Sequence, residues 1–302
     1  MTLRHAQGPR VRAVLWGAVG VLAVGIIWEL YKFLGPAEGV TVGAVEGETG
    51  SGFLLLPRTN DRAMPHIWEM FARLFQATSG GSTPPLWVSV VSAAGLTLGI
   101  AAIGWLIGVA VGMLLGIVMQ RWRLAEWGLL PWIVVSQTVP LIAFAPVVNA
   151  IGIQISRGGP AWPQWLSVAI IASYLAFFPV AVGALRGLAA PDSIHLDLMR
   201  SYAAGYGSTL LRLRLPAAVP YLLPALRLAA ANAVVGAVVA EVSIGMRGGI
   251  GRMLIQLAGQ GSSDPSAPWG PTFGSIAMGL VAAGSVAILG LVLANYRRGE
   301  AT

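Results

Sequence analysis

The chain contains no cysteine among its 302 residues. Disulfide bonds, thiol nucleophiles and cysteine-ligated metals are therefore excluded. Its three histidines, His5, His66 and His195, lie far apart in the sequence and lack the spacing of metal ligands. We expect no metal site.

Charged residues are also scarce. They make up 10% of the chain, whereas a soluble globular domain carries about 25%. Hydrophobic residues reach 56% and the mean hydropathy is +0.74, which predicts an integral membrane protein. The net charge of +7 comes from scattered arginines. Their places at the ends of apolar stretches indicate membrane orientation rather than nucleic-acid binding.

Several functional motifs are missing. The sequence has no Gly-x4-Gly-Lys-[Ser/Thr] loop, no Gly-x-Ser-x-Gly and no His-Glu-x-x-His. The chain therefore cannot bind ATP through such a loop, and it has no visible machinery for catalysis. We expect neither enzyme activity nor a cofactor in this chain.

A helical span needs about 20 mostly apolar residues, and six stretches qualify. They lie at roughly residues 13–35, 89–118, 127–154, 165–188, 218–245 and 272–294. No pattern of small residues typical of signal-peptide cleavage follows the first stretch, so we expect it to be retained. The sequence predicts an all-α polytopic membrane protein, with residues 1–302 forming a single transmembrane domain.

The arginines predict the orientation of these spans. Under the positive-inside rule, both termini and residues 189–217 lie in the cytoplasm, and residues 36–88 lie outside. The glycine-rich residues 36–53 are expected to form an irregular loop. In the second half of the outer segment, Ile67, Phe71 and Leu74 recur at helical spacing. They predict an amphipathic helix on the outer membrane surface or against the bundle.

The second predicted span has glycine at every fourth residue. The series is Gly104, Gly108, Gly112 and Gly116, preceded by Gly95 and Gly99. Glycine at this spacing lets another backbone approach closely. We therefore expect these residues to pack helices, within the subunit or across a dimer. Lining of a permeation path is the alternative.

Polar groups in two other spans are candidates for a translocation path. Gln137, Thr138 and Asn149 lie beside Pro140 and Pro146, which interrupt the helical ladder. Polar groups at a broken membrane helix are typical of a solute path, but they also bridge neighbouring helices.

Glu241 is the acidic residue of the fifth span. An acid in a span is costly unless it is paired or hydrated. This residue therefore either contacts solute or pairs with Arg247 or Arg252.

The most informative segment lies between the fourth and fifth spans, at residues 192–216. It is long enough for two short helices with a break at residues 203–205. Ile194, Leu198 and Tyr202 are spaced to share one face of the first helix. Ser208 is expected to cap a second helix that ends near Leu215-Pro216.

This segment resembles the E-A-A-x3-G-x9-I-x-L-P motif of permease subunits of bacterial ABC importers. Asp197-Leu198-Met199, Ala203 and Leu213-Arg214-Leu215-Pro216 match its spacing. Further stretches, including Leu130-Pro131 and Phe177-Phe178-Pro179, resemble permeases of the nitrate, sulfonate, taurine and thiamine-precursor group. Alanine replaces the motif's glycine at residue 203. We therefore expect the bend to move to Gly205, where valine would strain it.

The resemblance implies a type I ABC importer permease fold in the bacterial inner membrane. It implies cytoplasmic ATPase subunits that hold ATP and Mg²⁺, an extracytoplasmic solute-binding protein and a second permease copy, as a homodimer. The solute would be a small organic anion or heterocycle. The residues expected to couple the permease to the ATPase are Asp197, Ala203, Ala204, Gly205, Leu215 and Pro216. Two alternative functions are an ion-coupled secondary transporter and a membrane scaffold subunit without a transport role.

Overall fold

The computed structural model describes residues 9–42, 53–77 and 84–292. The helices are α1 (Pro9–Leu34), α2 (Ile67–Leu74), α3 (Leu86–Arg121), α4 (Arg123–Ser136), α5 (Leu141–Ile155), α6 (Gln164–Leu188), α7 (Ser193–Ser201), α8 (Tyr206–Thr209), α9 (Leu215–Ile244), α10 (Ile250–Ala258) and α11 (Trp269–Val292), with a π-helical turn (Leu210–Arg214) between α8 and α9. The architecture is all-α, as predicted. The chain divides into two compact units, Met1–Trp87 with Leu257–Gly270, and Val88–Gln256 with Pro271–Thr302.

One short strand pair was not predicted. Strands β1 (Val40–Val42) and β2 (Phe53–Leu56) pair antiparallel, with Val40 opposite Leu56. The strands are rich in β-branched and large apolar residues, which favour extended structure. The expectation of an irregular loop was therefore wrong at both ends of the segment. Residues 43–52, which hold most of its glycines, lie outside the described residues.

In the first unit, polar side chains of α1 hold the segment that leads into α2. The Glu29 carboxylate accepts a hydrogen bond from the Ile67 N–H at 2.8 Å and contacts His66 Nδ1 at 2.8 Å. It thereby supplies an acceptor at the N-terminus of α2, where backbone donors lack partners. Lys32 donates to the Asp61 carboxylate at 2.6 Å. This bond holds the pKa of Asp61 below its usual value.

Within residues 9–42, 53–77 and 84–292, five helical segments are long and apolar enough to cross a membrane. They are Leu15–Leu34, Leu86–Arg121, Gln164–Leu188, Tyr206–Ile244 and Trp269–Gly290. Each overlaps a predicted span. Helices α4 and α5 satisfy the same criteria together, which gives six spans when the pair is counted as one.

The third predicted span, residues 127–154, is a bent pair rather than one straight helix. Helices α4 and α5 meet at an angle of 104°. Pro140 has no N–H and precedes the first residue of α5, so the helical ladder stops before it. The Tyr174 hydroxyl donates to the Ser136 carbonyl, one of the groups freed at the break. Pro146 lies inside α5 and does not break it, contrary to the prediction.

The glycines of α3 pack against α6 within the same subunit. A Cβ atom added at Gly104 would lie 2.5 Å from the Ala172 Cβ, and one added at Gly108 would lie 2.7 Å from the Ala176 Cβ. Gly112 and Gly116 meet α6 in the same way. The packing interpretation is confirmed for these four positions. Within the subunit it does not extend to Gly95 and Gly99, because an added Cβ there would meet nothing within 4 Å.

Small residues also join α6 to α9. A Cβ added at Gly183 would lie 2.5 Å from the Ala225 Cβ, and one added at Gly187 would lie 2.8 Å from the Ala218 Cβ. Helix α6 is therefore held closely on two sides, and Ala172, Ala176, Ala181 and Ala184 are fully buried along it. It forms the centre of the second unit.

Candidate functional site

The 192–216 segment begins with a helix closed by a left-handed residue. Asp192 precedes α7 in extended conformation, as expected for a helix-start residue. At the other end, the Ala204 N–H bonds the Met199 carbonyl and the Ala203 N–H bonds the Arg200 carbonyl. These two bonds, with φ of +52° at Ala203, form a Schellman motif. Glycine is the usual residue at such a position, which explains the motif glycine that Ala203 replaces.

The bend therefore stays at Ala203, and the prediction that it moves to Gly205 was wrong. Gly205 has φ of −68°, and an added Cβ there would meet nothing within 4 Å. The two-bond cap at Ala203 is worth more than the steric cost of its positive φ, so the alanine accepts the left-handed conformation.

The second helix also differs from the prediction. It starts at Tyr206, not near Ser208, and it does not end at Pro216. Because Pro216 has no N–H, a regular ladder cannot run through this turn. The Leu215 N–H instead bonds the Leu210 carbonyl, five residues back, which gives the π-helical turn. Residues Tyr206–Ile244 thus form one continuous helical segment of 39 residues.

Helix α7 presents an exposed apolar face. Ile194 is 78% exposed, Leu198 51% and Tyr202 76%. They are the residues that the spacing placed together. Asp197 lies beside them and accepts a hydrogen bond from Arg200 at 2.9 Å, one helical turn away. A charged residue next to an apolar strip is a common arrangement at protein interfaces.

The segment is anchored to the helices beneath it. Arg214 Nη1 donates to the Leu188 carbonyl at 2.6 Å, which satisfies a group at the C-terminal end of α6. The Tyr206 hydroxyl donates to Gln120 Oε1 at 3.1 Å, and the Arg121 guanidinium lies 5.0 Å from the centre of the Tyr206 ring. These contacts attach the segment to the ends of α3 and α6. Sequence reasoning missed them, because no spacing signal links residues so far apart.

The candidate path residues of the third span do not converge. Thr138 is exposed and donates to the Val135 carbonyl, and Gln137 donates to its neighbour Ser136. Asn149 accepts from the Ser167 hydroxyl at 3.1 Å, which in turn accepts from the Trp162 indole N–H at 2.7 Å. Asn149 therefore bridges α5 and α6, which was the alternative role.

Glu241 forms a buried junction between three helices. Its carboxylate accepts from the Thr97 hydroxyl at 2.8 Å and from the Gly251 N–H at 2.9 Å. Thr97 Oγ1 also accepts from the Ile250 N–H at 3.0 Å. Glu241, at the end of α9, thus joins α3 to the start of α10. The suggested pairing with Arg247 or Arg252 is not seen among the described residues, because polar groups closer to the carboxylate already satisfy it.

A cavity of about 650 Å³ that is open on one side lies near this junction. Its lining residues are Gly95, Leu96, Gly99, Ile100, Ile103, Gln164, Trp165, Met246 and Arg247. None of the four path candidates is among these lining residues. One feature of the sequence points to this cavity. Arg247 lies between Gly245 and Gly248, and glycine allows the positive φ that both adopt.

The apolar helices, with a broken span and an amphipathic helix exposed between two spans, define a polytopic membrane protein. Residues 108–298 match the family described as "Binding-protein-dependent transport system inner membrane component". Because this match covers more than half of the chain, the chain belongs to that family, which comprises permease subunits of ABC importers.

Three curated relatives are similar to this chain. It is 33% identical over 174 residues to the formylaminopyrimidine transport permease protein ThiX of Halalkalibacterium halodurans, covering 56% of this chain and 65% of the relative. It is 33% identical over 153 residues to a probable ABC transporter permease protein of Haemophilus influenzae, covering 51% and 58%. It is 28% identical over 157 residues to the putative aliphatic sulfonates transport permease protein SsuC of Bacillus subtilis, covering 51% and 52%. The chain thus matches between about half and two thirds of each relative's length.

Proposed function

We propose that the chain is the membrane subunit of an ATP-driven importer and that residues 192–216 dock on a separate cytoplasmic ATPase. The exposed apolar face of α7, Ile194, Leu198 and Tyr202, carries this proposal. Three large apolar side chains on a polar segment lose contact with water when a partner covers them. Asp197, Ala203, Ala204 and Gly205 shape this face and its turn, while Leu215 and Pro216 join it to α9.

The anchoring of the segment supports a coupling role. The contacts of Arg214 with Leu188, and of Tyr206 with Gln120 and Arg121, tie the part of the segment that follows α7 to α6 and α3. A displacement of α7 by a partner would therefore move spanning helices rather than bend a loose connector. ATP and Mg²⁺ would be held by the ATPase, whose closure would open the path by alternating access.

The importer would include an extracytoplasmic solute-binding protein and two copies of this chain. Both termini would lie in the cytoplasm, in keeping with the arginine distribution. The names of two relatives refer to formylaminopyrimidine and to aliphatic sulfonates. They support a small organic anion or a heterocycle as the solute. Family membership favours this function over a secondary transporter or a scaffold.

Docking is tested by co-purifying the full chain with its ATP-binding subunit in mild detergent. We expect Leu198→Ser to lower the recovered ATPase at least about tenfold, because a buried apolar anchor commonly contributes more than about 1.4 kcal/mol to binding. Leu124→Ser is the matched control, since Leu124 is 83% exposed and lies outside α7. Equal recovery with both variants would exclude α7 as the docking site.

A further inference from the structure

The cavity next to Arg247 has an apolar wall that no other helix of the described residues covers. Gly95 and Gly99 lie one turn apart on α3, and a Cβ atom added at either would meet nothing within 4 Å. The other four glycines of the series are closed by α6. Leu96, 45% exposed, and Ile103, 41% exposed, flank this bare strip. The surface can accept a flat or slender apolar group.

A cation stands beside this apolar wall. Arg247 is exposed, and among the residues that the structure describes no acidic side chain pairs with it. The carboxylate of Glu241 is engaged by Thr97 and Gly251 instead. The described residues that line the cavity include no carboxylate, so its electrostatic potential favours an anion. A guanidinium recognises carboxylate or sulfonate oxygens through two parallel N–H donors.

The turn that carries Arg247 has a defined backbone conformation. Gly245 and Gly248 adopt φ of +74° and +88°, a region that other residues rarely take. The Glu241 bond to Gly251 fixes the residues that follow the turn. A Cβ added at Gly248 would lie 3.2 Å from Leu96, so the turn rests on the cavity wall. Arg247 is therefore positioned by the backbone of its turn.

We infer that this cavity binds a small organic anion, its acidic head on Arg247 and its apolar body on the Gly95–Gly99 strip beside Trp165. The volume of about 650 Å³ falls in the range of about 300–1,000 Å³ typical of small-molecule sites. Gln164 offers a neutral donor and acceptor in the cavity lining. The inference rests on the proposed transport function, and it makes this cavity a binding site on the path of the solute.

The absence of cysteine makes a direct test available. Gly99→Cys places one thiol in the cavity, where an added side chain has room. The full chain in nanodiscs of zwitterionic lipid is treated with methanethiosulfonate reagents that carry a sulfonate or a trimethylammonium group. Rates are divided by those of a free thiol, which removes the intrinsic difference between the reagents.

We expect the sulfonate reagent to react faster with the introduced thiol. Adding Arg247→Gln to Gly99→Cys should lower this preference about fivefold, the effect of removing one nearby charge from a partly hydrated site. Arg157→Gln is the control, because Arg157 is exposed and is not part of the cavity lining. Benzenesulfonate should slow labelling, whereas neutral benzenesulfonamide should not. If the preference for the sulfonate reagent were equally small in Gly99→Cys with and without Arg247→Gln, the inference would be overturned.

Three further outcomes would also overturn it. An unreactive thiol in Gly99→Cys means that the site is closed. A disulfide between the introduced thiols of two chains identifies the cavity wall as an interface between copies. Loss of labelling on adding phosphatidylglycerol to the nanodiscs identifies an anionic lipid as the occupant. The assay needs no ATPase, so its result is independent of the docking test at Leu198.

Discussion

At the scale of single residues, Ala203 is the one residue of the 192–216 segment with a positive φ. Its φ of +52° lies in the region where an L side chain crowds its own backbone. The two bonds of the Schellman motif hold it there. Gly205, two residues on, has an ordinary φ and uses none of glycine's conformational freedom.

Valine should therefore damage position 203 and spare position 205. We expect Ala203→Val to raise the rate of tryptic cleavage after Arg200 about fivefold, which corresponds to roughly 1 kcal/mol of added strain. Gly205→Val should leave cleavage near the wild-type rate, and Ala203→Gly should slow it. Mass spectrometry of the fragments measures all three. If Gly205→Val alone were cleaved faster, the bend would lie at residue 205 and not at Ala203.

Glu241 offers a second residue-scale prediction. Glutamine can accept from Gly251 and donate to Thr97, whose oxygen has capacity for another bond. Leucine would leave the Gly251 N–H without an acceptor, at a cost of roughly 1–3 kcal/mol. We expect a clear loss of thermal stability in Glu241→Leu and little change in Glu241→Gln, measured by size-exclusion after heating. Equal stability of the two variants would contradict the junction.

At the scale of elements, the packing of α3 on α6 depends on the absence of side chains at four positions. We expect Gly108→Val to lower stability by roughly 1–3 kcal/mol, the usual cost of overpacking, because its Cβ would lie 2.7 Å from that of Ala176. Gly284→Val is the matched control, since an added Cβ there meets nothing within 4 Å. Melting of the detergent-purified chain distinguishes them. Equal melting would mean that α3 and α6 are not in close contact.

Elements whose signal lies in local sequence were predicted well. The apolar runs located the spans, and the spacing of Ile194, Leu198 and Tyr202 located the face of α7. Features that depend on distant partners were not predicted. The roles of Arg214 and Glu241 follow from the Leu188 carbonyl and the Thr97 hydroxyl, which no local pattern connects to them. The cavity was not predicted, because the sequence does not distinguish a glycine packed against another helix from one with open space beside it.

At the scale of the whole molecule, the family match lies within the second compact unit over most of its length. The match starts at residue 108, inside α3. Helices α1 and α2 and the strand pair precede it, and they fall in the first unit. Residues 192–216 and Arg247 fall within both the match and the second unit. The Gly95–Gly99 strip belongs to the second unit but precedes the match.

The unbroken helix from Tyr206 to Ile244 has a mechanical consequence. Its 39 residues extend over about 58 Å at about 1.5 Å per residue. In a helix of this length, a small rotation about one end produces a large displacement of the other end. A tilt of about 5° about the Tyr206 end would carry the Ile244 end through about 5 Å. Glu241 lies near that far end and bonds to Gly251, so a tilt of this helix would also displace the turn that holds Arg247.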